Sequence, residues 1–335
     1  MTGHTGFKGA WLTAWLHELG ADVYGLALPP PERGAYHDLR VGELVKSANA
    51  DVRDADAVNA AVAAAAPDLV FHLAAQPLVR RAWSDRRGTI ETNVMGTVNV
   101  VEAALAHEAV RGVVVVTTDK VYENNEEGRP FVESDRLGGH DPYSASKAAA
   151  EIAIGPYQNA TLMGLRDAPV VSVRAGNVIG GGDWSADRLV PDIIRWLEAD
   201  EKIVLRRPDA VRPWQHVLDC VHGYLLVAAA MLDGRALESA YNFAHDKGAA
   251  TVLEVAQAVV RNWGASDDQI VVESEENAKE AGLLTLNPER ARRDLEWEPA
   301  WSLDESIAET VRFYRDPGGV GVAQIEQHMA TVSAR

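Results

Sequence analysis

Tyr143 and Lys147 stand four residues apart as Y-x-x-x-K. On a helix that spacing brings both side chains to one face. An ammonium beside a phenol favours the phenolate and lowers its pKa from ~10 toward neutrality. Such a tyrosine can take a hydroxyl proton while hydride leaves the same carbon. A second group, Thr117-Thr118-Asp119-Lys120-Val121-Tyr122, follows the all-apolar run Gly112 to Val116. Polar side chains directly after a buried strand lie where open α/β sheets hold their ligands. Thr118 can hydrogen-bond a substrate hydroxyl, and Asp119 with Lys120 offers an acid and a base. A solvated turn would account for Asp119-Lys120 alone, and a surface helix for Tyr143 and Lys147 alone. Taken together they favour an acid–base site.

The sequence opens Met1-Thr2-Gly3-His4-Thr5-Gly6-Phe7-Lys8-Gly9, which is G-x-x-G-x-x-G at the head of a helical pattern. Gly3, Gly6 and Gly9 suit a tight turn that lets a pyrophosphate approach the backbone at a helix N-terminus, with Thr5, Phe7 and Lys8 inside the loop. Asp51-Val52 precedes a helix where an adenine can be bracketed. Leu73-Ala74-Ala75 ends a strand with small residues, against which a cofactor can lie, and the neighbouring His72 fits a structural role. Such a loop normally follows a buried strand, yet only Met1 and Thr2 precede it. The expectation is that the chain starts further upstream or that the sheet lacks a middle member. No acid ends the strand at Leu26-Ala27-Leu28-Pro29, where one usually holds the ribose of NAD; NAD against NADP therefore stays open on this feature.

On the ligand side, Arg174-Ala175-Gly176-Asn177-Val178-Ile179-Gly180-Gly181-Gly182-Asp183 is a loop able to wrap a ligand, with Asn177 a donor to phosphate or sugar. Arg188 opens a helix. Arg206, Arg207 and Arg212 concentrate positive charge, and guanidinium forks match diphosphate oxygens. Arg212, flanked by Pro213 and Trp214 and followed by Gln215-His216, is the stronger candidate; ordinary surface placement explains Arg206 and Arg207 as well. Trp184 and Trp214 lie in loops where they could pack on a base or sugar.

The elements that must hold these groups alternate. Helical spacing covers Gly9 to Leu19 with Gly20 as its stop, Asp54 to Ala66, Ile90 to His107, and Pro142 to about Met163. Gly155-Pro156 should kink or break the last of these. Strand-like runs cover Asp22 to Leu28, Leu69 to Leu73, Gly112 to Val116 and Pro169 to Val173. Continuous apolar strands separated by helices mark a parallel sheet covered on both faces. After Gly180 the pattern loosens into short helices at Pro191 to Glu198, Val217 to Leu232, Thr251 to Trp263 and Ser302 to Tyr314, with a strand at Lys202 to Leu205. The fold class is α/β: a doubly wound parallel sheet with its first strand missing and a smaller α/β substrate-binding cap. The expected division is 1–178 with 216–246 as the dinucleotide domain, 179–215 with 247–320 as the cap, and 321–335 as a tail without a role.

Composition narrows the class. The chain has 335 residues, 32 basic against 49 acidic, a net charge of -17. That balance excludes a general nucleic-acid binder, which presents a basic face to phosphates. No apolar run approaches the ~20 residues that span a bilayer, so no membrane partner is expected. No metal site is expected either. A single cysteine, Cys220, allows no internal disulfide and fits the reducing cytoplasm; no signal peptide is read at the N-terminus.

The motifs TGHTGFKG, HLAAQPLVRRAW, TNVMGTVN, VTTDKVYEN, LGGHDPYSASKAAAE, RAGNVIGGGDW and RPWQHVLD occur in this order. Together they resemble the CDP-glucose 4,6-dehydratases of the extended short-chain dehydrogenase group, from Thr2 to Tyr314. The resemblance implies a Rossmann-like fold, bound NAD, a nucleotide sugar such as CDP-glucose as substrate, and a homodimer joined through two long helices. It adds Asn93 and Thr117 to the cofactor contacts, alongside Tyr143 and Lys147, and Gln76, Asn177, Arg188, Arg212 and His216 to the substrate contacts. It implies that Tyr143 deprotonates the sugar 4-hydroxyl, Asp119 protonates the leaving C6 hydroxyl and Lys120 takes the C5 proton, a role that requires a neutral lysine. Related dehydratases pair aspartate with glutamate at this point; the CDP-glucose branch resembles this chain in Asp119-Lys120. Another sugar-nucleotide dehydratase, a 4-epimerase and a non-catalytic nucleotide-binding homologue are the alternatives.

Overall fold

A computed structural model describes residues 1–124, 128–164, 167–245, 249–273 and 284–335. The expected cap boundary at 246/247 lies outside the described residues. The main sheet contains β1 (Tyr24–Ala27), β2 (Lys46–Asn49), β3 (Leu69–His72), β4 (Gly112–Val116), β5 (Val170–Ala175) and a last strand, Ala240–Phe243. Every pairing among them is parallel, with β1 on β2 on one side and β3, β4, β5 and Ala240–Phe243 in sequence on the other. β2 is exposed at all four residues, which is why its sequence carries no strand pattern.

The gap between β1 and β3 is filled by two residues. Thr2 bridges Leu26 on one side and His72 on the other, both in parallel. Thr2 N donates to Phe71 O at 2.9 Å, Leu26 N to Met1 O at 2.9 Å and Leu73 N to Thr2 O at 3.2 Å. Among the described residues no strand lies between β1 and β3, as expected; Thr2 joins the two halves as a single bridging residue.

Burial alternates along β4 as a sheet covered on both faces requires. Val114 and Val116 join a core with Trp11, Trp15 and Val221, whereas Val113 and Val115 face Val100, Val101 and Ile154. Each fully buried valine contributes roughly 1.5 kcal/mol or more of transfer free energy. A separate core of Ile193, Ile194, Val255, Val259, Ile307 and Val311 holds the cap elements. Both cap helices Val252–Trp263 and Leu303–Arg315 begin with complete capping boxes, at Thr251 with Glu254 and at Ser302 with Glu305.

The helix Pro142–Leu162 runs through Pro156, so the proline does not break it. The carbonyl that the proline leaves without its amide partner belongs to Ile152, whose residue is exposed, so water can serve it. The long helical pattern at Ile90 resolves into Arg86–Ile90, a π-helical turn at Glu91–Met95 and Gly96–Leu105.

The stretch 321–335 also differs from a tail. Gly321–Ser333 is a helix whose Ile325 enters the Trp11 core. His328 is fully buried between Trp15 and Trp301 and its Nε2 lies 2.8 Å from Asp219 Oδ1, which also accepts from Ala300 N at 2.6 Å. His328→Ala opens a cavity and strips Asp219 of a buried partner. It should lower the unfolding free energy by about 3 kcal/mol, seen as a lower urea midpoint with an unchanged native circular dichroism spectrum.

Candidate active site

The strand ends converge on one crevice. Gly3, at φ 75°, passes so close to β3 that an added Cβ would lie 2.7 Å from Ala74 N; one on Gly9 would lie 2.1 Å from Gly3 O. Only glycine fits this cradle, and it opens onto the N-terminus of the helix Phe7–Glu18, capped by Gly6. Thr2 Oγ1 holds Leu73 N and Ala74 N at 3.2 Å and is hydrogen-bonded to His72 Nδ1 at 2.8 Å. His72 is buried, is pushed down to about 3 by that burial, and is bonded again to Thr97, so it acts as a neutral structural link. Thr5 donates to Leu28 O at 3.0 Å, tying the loop to the end of β1. Leu73, Ala74 and Ala75 are half-buried along the crevice wall. Asp51 accepts from Arg53, and Val52 is buried beneath Gly96.

Tyr143 and Lys147 project from the helix that Asp141 caps, its Oδ1 accepting from Tyr143 N at 2.9 Å and Ser144 N at 3.0 Å. Thr118, Asp119 and Lys120 form the turn beyond β4. Thr118 donates to Asp119 Oδ1 at 2.9 Å and interacts with the Tyr143 phenol. Asp119 is buried, and desolvation raises its carboxyl above the usual carboxylate range against the pull of Lys120, Thr118 and Lys8.

The tyrosine–lysine pair departs from the simple expectation. Lys147 Nζ donates to Val116 O at 2.9 Å rather than to the phenol. Burial pushes Tyr143 up to about 12, opposed by Thr118 and Arg188. Burial and the Lys8 ammonium push Lys147 down to about 8, opposed by Glu151. The cause is common to both: desolvation penalises whichever form is charged. Lys8 therefore belongs to this cluster as well as to the glycine loop, and its Nζ lies 3.4 Å from Tyr224 OH.

Several candidates serve behind the crevice. Asn93, fully buried in the π turn, accepts from Gln76 N at 2.8 Å and donates to Gln76 O and to Ser146 Oγ, one residue before Lys147. The Gln76 amide bonds within its loop to Leu78 and to Thr89 Oγ1. Thr117 donates to Glu151 Oε1 at 2.5 Å, so its hydroxyl is turned away from the crevice.

The ligand side is mixed. Arg188 pairs with Asp183 at 3.0 Å and acts electrostatically on Tyr143. A Cβ on Gly176 would lie 3.3 Å from Asp119 Oδ2, so the loop carrying Asn177 passes directly by the acid. Asn177 and Arg212 are half-buried on adjacent strands, Asn177–Ile179 and Val211–His216. His216 is a correction: its imidazole is fully buried between Trp11 and Trp301 and caps the helix Val217–Leu232 by accepting from Leu218 N at 3.2 Å. Trp214 is likewise a cap-core residue bonded to Ala250 O, and Trp184 lies between Arg33 and Tyr314. Sequence reading missed Glu151, Ser146 and Tyr224. Glu151 carried one signal, being a charge four residues beyond Lys147 on the same helix face.

A parallel sheet with a glycine cradle at its centre and a tyrosine–lysine helix beside it defines a dinucleotide-using enzyme of the short-chain dehydrogenase type. The chain belongs to the NAD dependent epimerase/dehydratase family, which matches residues 1–244. It is 39% identical to a CDP-glucose 4,6-dehydratase from Salmonella typhimurium, over 94% of this chain and 89% of that protein. It is 28% identical to a UDP-glucose 4-epimerase from Mycolicibacterium smegmatis, over 94% of this chain and 98% of that one. Among solved structures, a dTDP-glucose 4,6-dehydratase from Streptomyces venezuelae with NAD and TYD bound superposes with a TM-score of 0.81 at 26% identity, over 94% of this chain and 96% of that chain.

Asn93→Ala leaves Gln76 N, Gln76 O and Ser146 Oγ without this partner. It should cost about 2–3 kcal/mol of stability, measured by denaturant unfolding.

Proposed function

We propose that this protein is an NAD-dependent nucleotide-sugar 4,6-dehydratase acting on CDP-glucose, which it converts to CDP-4-keto-6-deoxyglucose. The observation that carries the reading is Asp119: a buried carboxyl that desolvation pushes toward its protonated form, bonded to Thr118 and placed by the Tyr143 phenol. A 4-epimerase needs no such acid, because nothing leaves its substrate. The similarity to the Salmonella enzyme supports CDP-glucose as the substrate.

The residues fit NAD. The Gly3–Gly9–Ala74 cradle leaves no room for a Cβ, so a pyrophosphate can lie against backbone amides at the Phe7 helix end. NAD, when bound, supplies the hydride acceptor at C4 and the donor that returns hydride to C6. Thr118 orients the sugar 4-hydroxyl and Tyr143 receives its proton. The ketone so formed acidifies the C5 proton, which Lys120 takes. Asp119 gives its proton to the C6 hydroxyl, which leaves as water. Addition of hydride and a proton across C5–C6 completes a cycle whose net change is loss of water. Asn177, Arg188 and Arg212 bind the diphosphate and sugar.

The division into a dinucleotide domain (1–178 with 216–246) and a cap (179–215 with 247–320) is supported by the separate cap core. A homodimer is supported by exposed apolar side chains at Ile90, Met95 and Ile152, on two helical segments that pack together. No described helix is long and apolar enough to cross a membrane. Cys220 is an unpaired, buried thiol, consistent with the cytoplasm.

Incubation with CDP-, dTDP-, UDP- and GDP-glucose should give the 4-keto-6-deoxy product, by its alkaline absorbance and mass, with the CDP sugar preferred. A 4-epimer in its place would overturn the reading. Tyr143→Phe should abolish turnover while NAD still raises the melting temperature. Separately, Ile90→Glu with Met95→Glu should shift the sedimentation coefficient from dimer to monomer.

A further inference from the structure

Glu151 lies one helical turn beyond Lys147 and is almost fully buried. Its Oε1 accepts from Thr117 Oγ1 at 2.5 Å and from Arg174 Nε at 2.9 Å; its Oε2 accepts from Arg174 Nε at 3.0 Å and from Arg174 Nη2. Arg174 Nη1 continues to Tyr122 OH at 2.7 Å and Glu133 O at 3.1 Å, and Tyr122 OH donates to Asn242 Oδ1 at 2.7 Å. One carboxylate thus joins the residue after β4, a residue of β5 and the tyrosine–lysine helix. A buried ion pair is a poor source of net stability, because desolvation offsets the attraction. Its placement points to another role.

The groups facing Lys147 come from every neighbouring element. Lys8 approaches from the first helix and neutral His72 from β3. Val116 O and Asp119, which burial pushes toward its neutral form, lie at the end of β4, and Tyr143 is on the same helix. Tyr224 and Cys220, from Val217–Leu232, are bonded to each other and lie toward Lys8, and both stay neutral because burial raises them. Arg174 of β5 is engaged by Glu151. Of the charged neighbours, Lys8 pushes Lys147 down and Glu151 opposes it.

We propose that Glu151 is a positioning residue of the acid–base site: clamped by Arg174 and Thr117, it pins the tyrosine–lysine helix to the ends of β4 and β5 and faces the Lys147 ammonium with the negative charge that opposes Lys8. The proposal rests on the proton transfer to Tyr143 described under Proposed function, which an ammonium at Lys147 favours. The lysine is held near 8, so its charge in the neutral range depends on this balance. Removing the carboxylate lowers the Lys147 pKa, and the ammonium is then lost at a lower pH.

The test is an NMR titration of the full-length protein labelled with 13Cε-lysine. The chain has seven lysines, and the Lys147 signal is the one absent from Lys147→Arg. Glu151→Gln should move the Lys147 midpoint down by about one unit, and Glu151→Asp by less. The double variant Glu151→Gln with Arg174→Gln removes the orphaned cation that could unfold the single variant, and its midpoint should also fall. With the sugar nucleotide, the alkaline limb of kcat should move to lower pH by the same amount, with KM held. An unmoved midpoint beside a lower melting temperature would make Glu151 a brace only and overturn the proposal. So would a shift that disappears in the double variant, which would assign it to unpaired Arg174. The titration needs no turnover, so a protein that titrates as expected but dehydrates no sugar nucleotide counts against the proposed function alone.

Discussion

The sheet is continuous because two residues complete it. Met1 and Thr2 exchange backbone hydrogen bonds with Leu26 on one side and with Phe71 and Leu73 on the other. At about 1 kcal/mol each in net terms, these bonds are few, yet they join the two halves of the sheet. The Thr2 hydroxyl extends the link by holding Leu73 N and Ala74 N, which form the wall of the glycine cradle. The site is therefore assembled around Thr2 and the backbone it holds.

Desolvation governs the chemistry placed on that frame. Asp119, Tyr143 and Lys147 are all buried, and each is pushed toward its neutral form. For Asp119 that direction suits an acid. For Tyr143 and Lys147 it opposes the phenolate–ammonium pair that the proposed reaction would use, so neighbouring charges decide the outcome. Lys8 and Glu151 act on Lys147 with opposite signs, and Arg188 favours the phenolate of Tyr143. The crevice is poised by the sum of several charges rather than by one contact.

The parts of this arrangement that follow chain-local rules were legible in the sequence. Gly112–Val116 is an unbroken apolar run and forms the expected strand; Ser302 and Thr251 cap the helices that their spacing marks. The glycine loop, the Thr118 turn and the tyrosine–lysine helix also meet in space as their motifs imply. What spacing could not supply depended on tertiary contacts. β2 is wholly exposed and carries no alternation. The helix Gly321–Ser333 is recognisable only through what it packs on, since His328 owes its burial to Trp15, Trp301 and Asp219. His216 looks like a ligand contact beside Arg212, yet the turn into the next helix rotates it inward to cap that helix. The lysine–phenol contact, too, depends on which acceptor is nearer, and Val116 O wins.

The π turn at Glu91–Met95 has a consequence for phase. Before it, Thr89 accepts from Gln76 beneath the crevice; after it, Val100, Val101 and Ala104 pack into the sheet core. A π turn takes up one residue more than an α turn, so the two stretches are rotated relative to one another by about one residue's arc, near 100°. An uninterrupted α-helix through the same residues could satisfy the crevice or the core, but not both. One helix thus serves two surfaces, with Asn93 at the change of phase reaching both Gln76 and Ser146.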